Sequence, residues 1–193
     1  MKTLLPSSIF CILILILLYG CAPLTTKVEW ETGSVINPQF AEKVIIVKKF
    51  DFTTNLKAGL RTEAVVSADI SNCLIKSLRN TLIGYAVLKE EEANKWGTPK
   101  SQRLFGDPIS PSATIIRIIP TKVTTEYNFW RTKILGNVYV KMQAHNTVTE
   151  IEGEGKANAE MPKVCFKGIP CAFEVAFSEA CDDVAAKVDK LLK

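Results

Sequence analysis

Residues 43–52 read KVIIVKKFDF, and the β-branched VIIV run in this stretch is typical of a strand buried on both faces. Residues 51–59 are interpreted as a turn, and the four-residue spacing of apolar positions after it predicts a helix from about Thr62 to Ile83. Gly84 then stands where a helix-terminating glycine belongs, and residues 85–88 (YAVL) predict a second strand. Strand, helix and strand in so short a stretch form a βαβ unit, so we expect the two strands to be parallel.

Beyond this unit, the sequence predicts an antiparallel meander and a closing helix. Three long strands are expected at residues 112–126, 134–146 and 147–159, and the second alternates apolar and polar residues like a strand with one buried face. Two glycines in the third strand, Gly153 and Gly155, suggest a bulge or a twist. An apolar stripe predicts an amphipathic helix from Phe173 to Leu192. The predicted fold class is α+β: one domain with a mixed sheet of about five strands and two helices on one face.

Composition narrows the possible functions. The chain has 193 residues, 47% of them hydrophobic, and a formal net charge of only +4, which does not indicate nucleic-acid binding. The single histidine, His145, is expected on the polar side of its strand, and no glycine-rich phosphate loop is present. A catalytic triad needs a base placed beside a nucleophile, and a zinc site needs three or four ligands at suitable spacing; the sequence suggests neither arrangement. We therefore predict a non-enzymatic protein without cofactor or metal. An enzyme that uses a pair of carboxylates is the weakest alternative.

The N-terminus predicts export and lipid anchoring. Lys2 is followed by an unbroken apolar run, Ile9–Leu18. As a helix this run would be about 15 Å long, half of a hydrocarbon core of roughly 30 Å, which favours a signal peptide at residues 1–20 over a permanent span. The sequence LYGC at residues 18–21 resembles the lipobox of bacterial lipoproteins, which implies that Cys21 becomes the acylated N-terminus. Because Ala22 follows rather than Asp, the resemblance favours the outer membrane.

Residues 21–40 are interpreted as a lipidated tether on which Trp30 packs against the domain, and residues 41–193 as the periplasm-facing α+β domain. The segments VIIVKKFDF, GYAVLKEEE and AFEVAFSEACDDVAAKVDKLL, together with the lipobox, resemble the small outer-membrane lipoproteins of the YajG type. More distantly, they resemble the fold shared by CsgG and LpoB. Acyl anchoring, the absence of recognisable catalytic groups and an aromatic turn at residues 127–131 lead us to expect a lipid-anchored accessory or scaffold subunit that binds other envelope proteins, with a second copy of itself among the candidates. The alternative is a carrier of lipid or another small amphiphile in a cavity between sheet and helices.

An aromatic segment is the candidate interaction site. Tyr127, Phe129, Trp130 and Arg131 fall where the third and fourth strands should be joined, and turns seldom collect three aromatic residues. Exposed aromatic rings beside an arginine are typical of binding hot spots. The alternative interpretation is that the rings pack under the edge of the sheet.

The cysteines predict disulfides. Besides Cys11 in the signal and the acylated Cys21, the chain contains Cys73, Cys165, Cys171 and Cys181. An even number of thiols in an oxidising compartment favours pairing. We predict a Cys165–Cys171 disulfide across a turn, and a Cys73–Cys181 disulfide between the two helices. For the second pair, the alternative is two small core residues.

Overall fold

The computed structural model of the protein describes residues 24–33, 41–58, 61–96, 113–128, 133–158 and 169–193. Its elements, in chain order, are β1 (Leu24–Val28), β2 (Lys43–Val47), β3 (Asp51–Ala58), β4 (Arg61–Asp69), α1 (Ile70–Thr81), β5 (Ala86–Lys89), α2 (Glu90–Trp96), β6 (Thr114–Asn128), β7 (Lys133–Ala144), β8 (Thr147–Asn158) and α3 (Ile169–Leu192).

The larger sheet has five strands in the order β5-β2-β6-β7-β8. Strand β2 is parallel to both of its neighbours, β5 and β6. Strands β6, β7 and β8 form an antiparallel meander. The predicted α+β fold with a mixed five-stranded sheet is confirmed, as is the parallel pairing of β2 with β5.

Helices α1 and α3 pack side by side on one face of this sheet. The core between them and the sheet is dense, and the Phe173 and Phe177 rings, 4.3 Å apart between centroids, are completely buried at its centre. The short helix α2 covers part of the opposite face, where Ala93 packs beside Val44 and Leu88. In the described part of the chain, no helix is long and apolar enough to cross a membrane.

Strands β3 and β4 form a hairpin where the sequence predicts a turn and the first third of a helix. This part of the prediction is wrong because the segment buries every second residue, as a strand does, rather than every third or fourth. Ala64, Val66 and Ala68 all point into the core. The helix begins only at Ile70, after Asp69, whose side chain accepts hydrogen bonds from two backbone N–H groups of the first turn.

The N-terminal segment is folded within residues 24–33. Strand β1 is parallel to β4, and the three strands β1, β4 and β3 form a second sheet. Trp30 is only 4% exposed, and its indole N–H donates a 3.0 Å hydrogen bond to the hydroxyl of Ser178 on α3. Strand β1 therefore lies inside the domain, whereas the sequence interpretation assigned it to the tether.

The candidate interaction surface

Of the predicted interaction residues, the described part of the chain contains Tyr127. It lies near the end of β6, on the side of the sheet that faces α3, and its ring packs against the main core. Tyr127 agrees with the alternative interpretation, in which the rings pack beneath the sheet. Strand β6 continues through residue 128, and Tyr127 stands opposite Ile134 on the side of the sheet that faces the core. Phe129, Trp130 and Arg131 lie outside the described residues, as do Cys21 and the signal segment 1–20.

The predicted Cys73–Cys181 disulfide is absent, and both residues are free thiols buried where α1 meets α3. The Cys73 thiol donates to the carbonyl of Phe177, with sulfur and oxygen 3.3 Å apart. Burial, and after it the hydrogen bond with Cys73, raises the pKa of the Cys181 thiol well above its usual range. The two therefore act as small core residues, the alternative that the sequence left open.

The other predicted pair stays a prediction. Cys171 lies in the first turn of α3, half-buried against the core, and Cys165 is outside the described residues. His145 is in the turn between β7 and β8 rather than on a strand, with a φ of 52°. In the described ranges, no group of three or more histidine, cysteine or acidic side chains is placed to hold a metal ion.

Helix α3 covers the outer edge of β8. The backbone N–H of Glu154 donates to the Asp183 carboxylate at 3.1 Å, and that of Lys156 donates to Glu179 at 2.9 Å. The Lys187 ammonium donates to the carbonyl of Glu152 at 2.7 Å. These contacts occupy backbone groups with which an added strand would have to pair, so this part of the edge is closed to β-augmentation.

Two glycines allow this approach. A Cβ on Gly155 would overlap the carbonyl oxygen of Ala176 and lie 2.6 Å from the backbone nitrogen of Ala180. A Cβ on Gly153 would overlap the carbonyl oxygen of Ala180. The strand register is continuous through both residues, so the suggested bulge is wrong; the glycines serve close packing of helix on strand.

The opposite face of β6, β7 and β8 is open to solvent, and we call it the open face. Its side chains form rows across the three strands, fixed by the pairing registers. From one end to the other, the five rows are Arg117–Gln143–Val148, Ile119–Lys141–Glu150, Lys122–Tyr139–Glu152, Thr124–Asn137–Glu154 and Glu126–Leu135–Lys156. All fifteen are exposed or half-buried.

Polar contacts order the middle of the open face. The Lys122 ammonium lies 5.4 Å from the centroid of the Tyr139 ring, within cation–π range. The Asn137 amide donates to the Glu152 carboxylate at 3.2 Å. Lys141 and Glu150 form a 3.1 Å ion pair. The Tyr139 hydroxyl also accepts a 3.5 Å hydrogen bond from the Asn137 amide, so contacts with Lys122 and Asn137 reduce the side-chain freedom that Tyr139 would lose on binding.

The open face is shallow. One depression, of about 250 Å³, is centred on Asn137 and Leu135, and another, of about 370 Å³, on Tyr139. Both are lined mainly by polar and charged side chains. Such a surface suits contact with another macromolecule better than enclosure of a small ligand, whose pockets are concave and mostly apolar.

Sequence reasoning identified the alternation along β7 but missed the open face as a site. The rows depend on which residue of β6 and β8 stands beside each residue of β7, and a bulge between Pro120 and Lys122 shifts that register. A pattern in one strand does not reveal a shift in its neighbour. The sequence signal that remained was the high charge of residues 150–156, which read EIEGEGK.

No family model matches the chain, and no curated protein matches it. Among solved structures, the chain is similar to an uncharacterised protein at 6% identity and a TM-score of 0.49, with 89% of this chain and 100% of that chain covered. It is also similar to the hypothetical protein CT253 from Chlamydia trachomatis (11% identity, TM-score 0.37, 77% and 96% covered). A third similar structure is a neuraminyllactose-binding hemagglutinin homolog from Helicobacter pylori (14% identity, TM-score 0.37, 86% and 92% covered). At TM-scores below 0.5, these likenesses carry no functional argument.

Proposed function

We propose that the protein is a non-enzymatic lipoprotein of the bacterial envelope, anchored in the outer membrane through Cys21, and that it acts as an accessory or scaffold subunit by binding other envelope proteins. The observation that supports the binding role is the open face. It is long and ordered, and it carries a central tyrosine among charged side chains, while α1 and α3 lie on the other side of the sheet. Tyrosine and charged rims of this kind recur at protein–protein contacts.

The carrier alternative requires a cavity between sheet and helices. At the seam of β8 and α3, the backbones approach so closely that a single added carbon would overlap the helix backbone. At the centre, the Phe173 and Phe177 rings fill the space between helix and sheet. An acyl chain would have to displace both, so these contacts favour binding at the open face.

The anchoring is tested by changing Cys21 to Ser in the full-length protein. We expect loss of acyl labelling and accumulation of unprocessed precursor, because the acylated sulfur and its cleavage site disappear together. The matched control is Cys11→Ser, which leaves the anchor residue intact. Normal processing of the unchanged protein with no acyl chain attached would contradict the lipoprotein proposal.

The binding role is tested with a photo-crosslinking amino acid placed at Tyr139 of the full-length protein in living cells, followed by mass spectrometry. The matched control position is Asp182, which is exposed on α3. We expect protein-sized crosslinked products from Tyr139 and few from Asp182. Equal labelling from both positions, or none from Tyr139, would contradict a binding role for the open face.

A further inference from the structure

We propose that the occupant of the open face is a second copy of this chain, related to the first by a two-fold axis parallel to β7. The inference rests on the proposed function for its choice of surface and adds the identity of the partner. It predicts a sheet-on-sheet homodimer in which the open faces of the two copies pack against each other.

The charge pattern of the open face carries the argument. In one row, Lys122 on β6 and Glu152 on β8 flank Tyr139. Two rows further along, the signs are reversed: Glu126 on β6 and Lys156 on β8 flank Leu135. The four charges therefore stand at the corners of a rectangle in which neighbouring corners are opposite in sign.

A two-fold axis parallel to β7 places β6 of one copy over β8 of the other. Lys122 then faces Glu152 of the second copy, and Glu126 faces its Lys156, which gives four opposite-charge pairs in the symmetric contact. Along the axis, Tyr139 and Leu135 meet their own counterparts. Asn137 and Lys141 of the same strand also meet their own counterparts, and the charge of Lys141 is offset by its 3.1 Å ion pair with Glu150.

The row Thr124–Asn137–Glu154, in the middle of the rectangle, favours this axis over a two-fold axis that runs across the strands. An axis along the row Thr124–Asn137–Glu154 also pairs opposite corners, but it would set Glu154 against Glu154 of the second copy. With the axis parallel to β7, Glu154 faces Thr124 instead. The contact between two Glu154 side chains is avoided, and the glutamate gains a hydroxyl donor. An axis along the middle row would also set Lys141 against Lys133 in both halves of the dimer, so it brings together more like charges than the axis parallel to β7, along which Lys141 and Lys133 each meet only their own counterpart.

The size of the face sets the strength of the contact. Three strands of about twelve residues cover roughly 40 Å by 14 Å, or about 560 Å², below the ~800 Å² per partner of a standard stable complex. A dimer of this size is weak in dilute solution. Two anchored copies in one membrane have a higher effective concentration, which favours pairing.

The axis is tested with the photo-crosslinker at Thr124 of the full-length protein in its envelope. We expect a product of twice the chain mass whose crosslink maps to β8 of the second copy, near Glu154. A dimer crosslinked to β6 near Thr124 itself would overturn the proposed axis. Products containing only other envelope proteins would overturn the homodimer while leaving the proposed function standing. Absence of any product from Thr124 and Tyr139 would overturn both.

The charge pairing is tested by reversal and exchange. Lys122→Glu places two glutamates opposite each other in both halves of the dimer, and we expect the dimer yield from Tyr139 to fall about tenfold. The double variant Lys122→Glu/Glu152→Lys restores opposite pairs, so its yield should return to within about twofold of the original. The matched control, Lys190→Glu on α3, should leave the yield unchanged. Failure of the double variant to recover, with both variants melting like the parent protein, would overturn the proposal.

Discussion

Gly153 and Gly155 allow α3 to lie so close to β8 that a side chain at either position would collide with the backbone of the helix. The two glycines alternate along β8 with charged residues of the open face. Each glycine therefore turns a hydrogen atom, where another residue would have its side chain, toward α3. Gly136, one strand further in, faces the ring of Phe177 instead of backbone. The three positions therefore differ in what an added methyl group would meet, and this difference can be measured.

We expect Gly155→Ala to lower the free energy of unfolding by about 3 kcal/mol, at the upper end of the usual cost of overpacking, because helix backbone has to move. Gly136→Ala should cost less, since its new Cβ would meet a ring edge at 3.0 Å that can tilt away. Urea denaturation followed by circular dichroism measures both. Equal stability of Gly155→Ala and the parent protein would mean that α3 does not approach β8 this closely.

At the scale of elements, the edge of β8 is closed by side chains of α3, and Asp183 is central to that closure. Its carboxylate accepts hydrogen bonds from the Lys187 ammonium at 2.9 Å and from the Glu154 backbone at 3.1 Å. Burial by itself would raise the pKa of Asp183, but the two hydrogen bonds outweigh it and hold that pKa below its usual value. A lowered pKa means that the charged form stabilises the folded state.

The stabilisation by Asp183 is complete above the pKa of the unfolded chain, 3.8, and is lost as the pH falls through the lower folded value. We expect Asp183→Asn to lower stability at pH 7 by no more than about 1 kcal/mol, because the side chain is partly exposed. The difference from the parent protein should shrink below about pH 4. Thermal melts at pH 7 and pH 3 measure this, with Asp182→Asn as the exposed control. A difference that persists unchanged at pH 3 would contradict the charged hydrogen bond as its cause.

The elements show what the sequence could and could not predict. Some elements have apolar patterns that fit only one type of secondary structure, and the sequence predicts these: β2, the three meander strands and α3. The apolar pattern around Val66 and Ile70 fits two structures, a continuous helix or a strand that ends before Ile70, because both residues would be buried in either one. The deciding signal was Asp69, a helix-capping residue between them. Register across strands, on which the open face depends, left no comparable signal.

At the scale of the whole molecule, the first and last elements of the described chain are joined. Trp30, just after β1, is buried and bonds to Ser178 on α3, which lies 148 residues further along the chain. Arg79 on α1 reinforces this arrangement, since its guanidinium donates to the carbonyl oxygens of Thr32 and Gly33 as well as Val87. If Cys21 is acylated, the three residues to Leu24 span at most about 11 Å, so the domain would begin close to the membrane surface.

A folded N-terminal strand and a tether make opposite predictions for Trp30→Ala. A tether would tolerate the change, whereas loss of a buried aromatic ring should cost about 3–5 kcal/mol and lower the melting temperature by about 2–4 °C for each kcal/mol. We expect that loss, together with proteolytic cleavage near residues 24–33 at temperatures where the parent protein resists. Ser178→Ala is the matched control, because it removes the hydrogen bond and keeps the ring in place; its cost should be near 1 kcal/mol. If Trp30→Ala melts like the parent protein, β1 does not contribute to the fold, and the tether interpretation of the sequence is the better one.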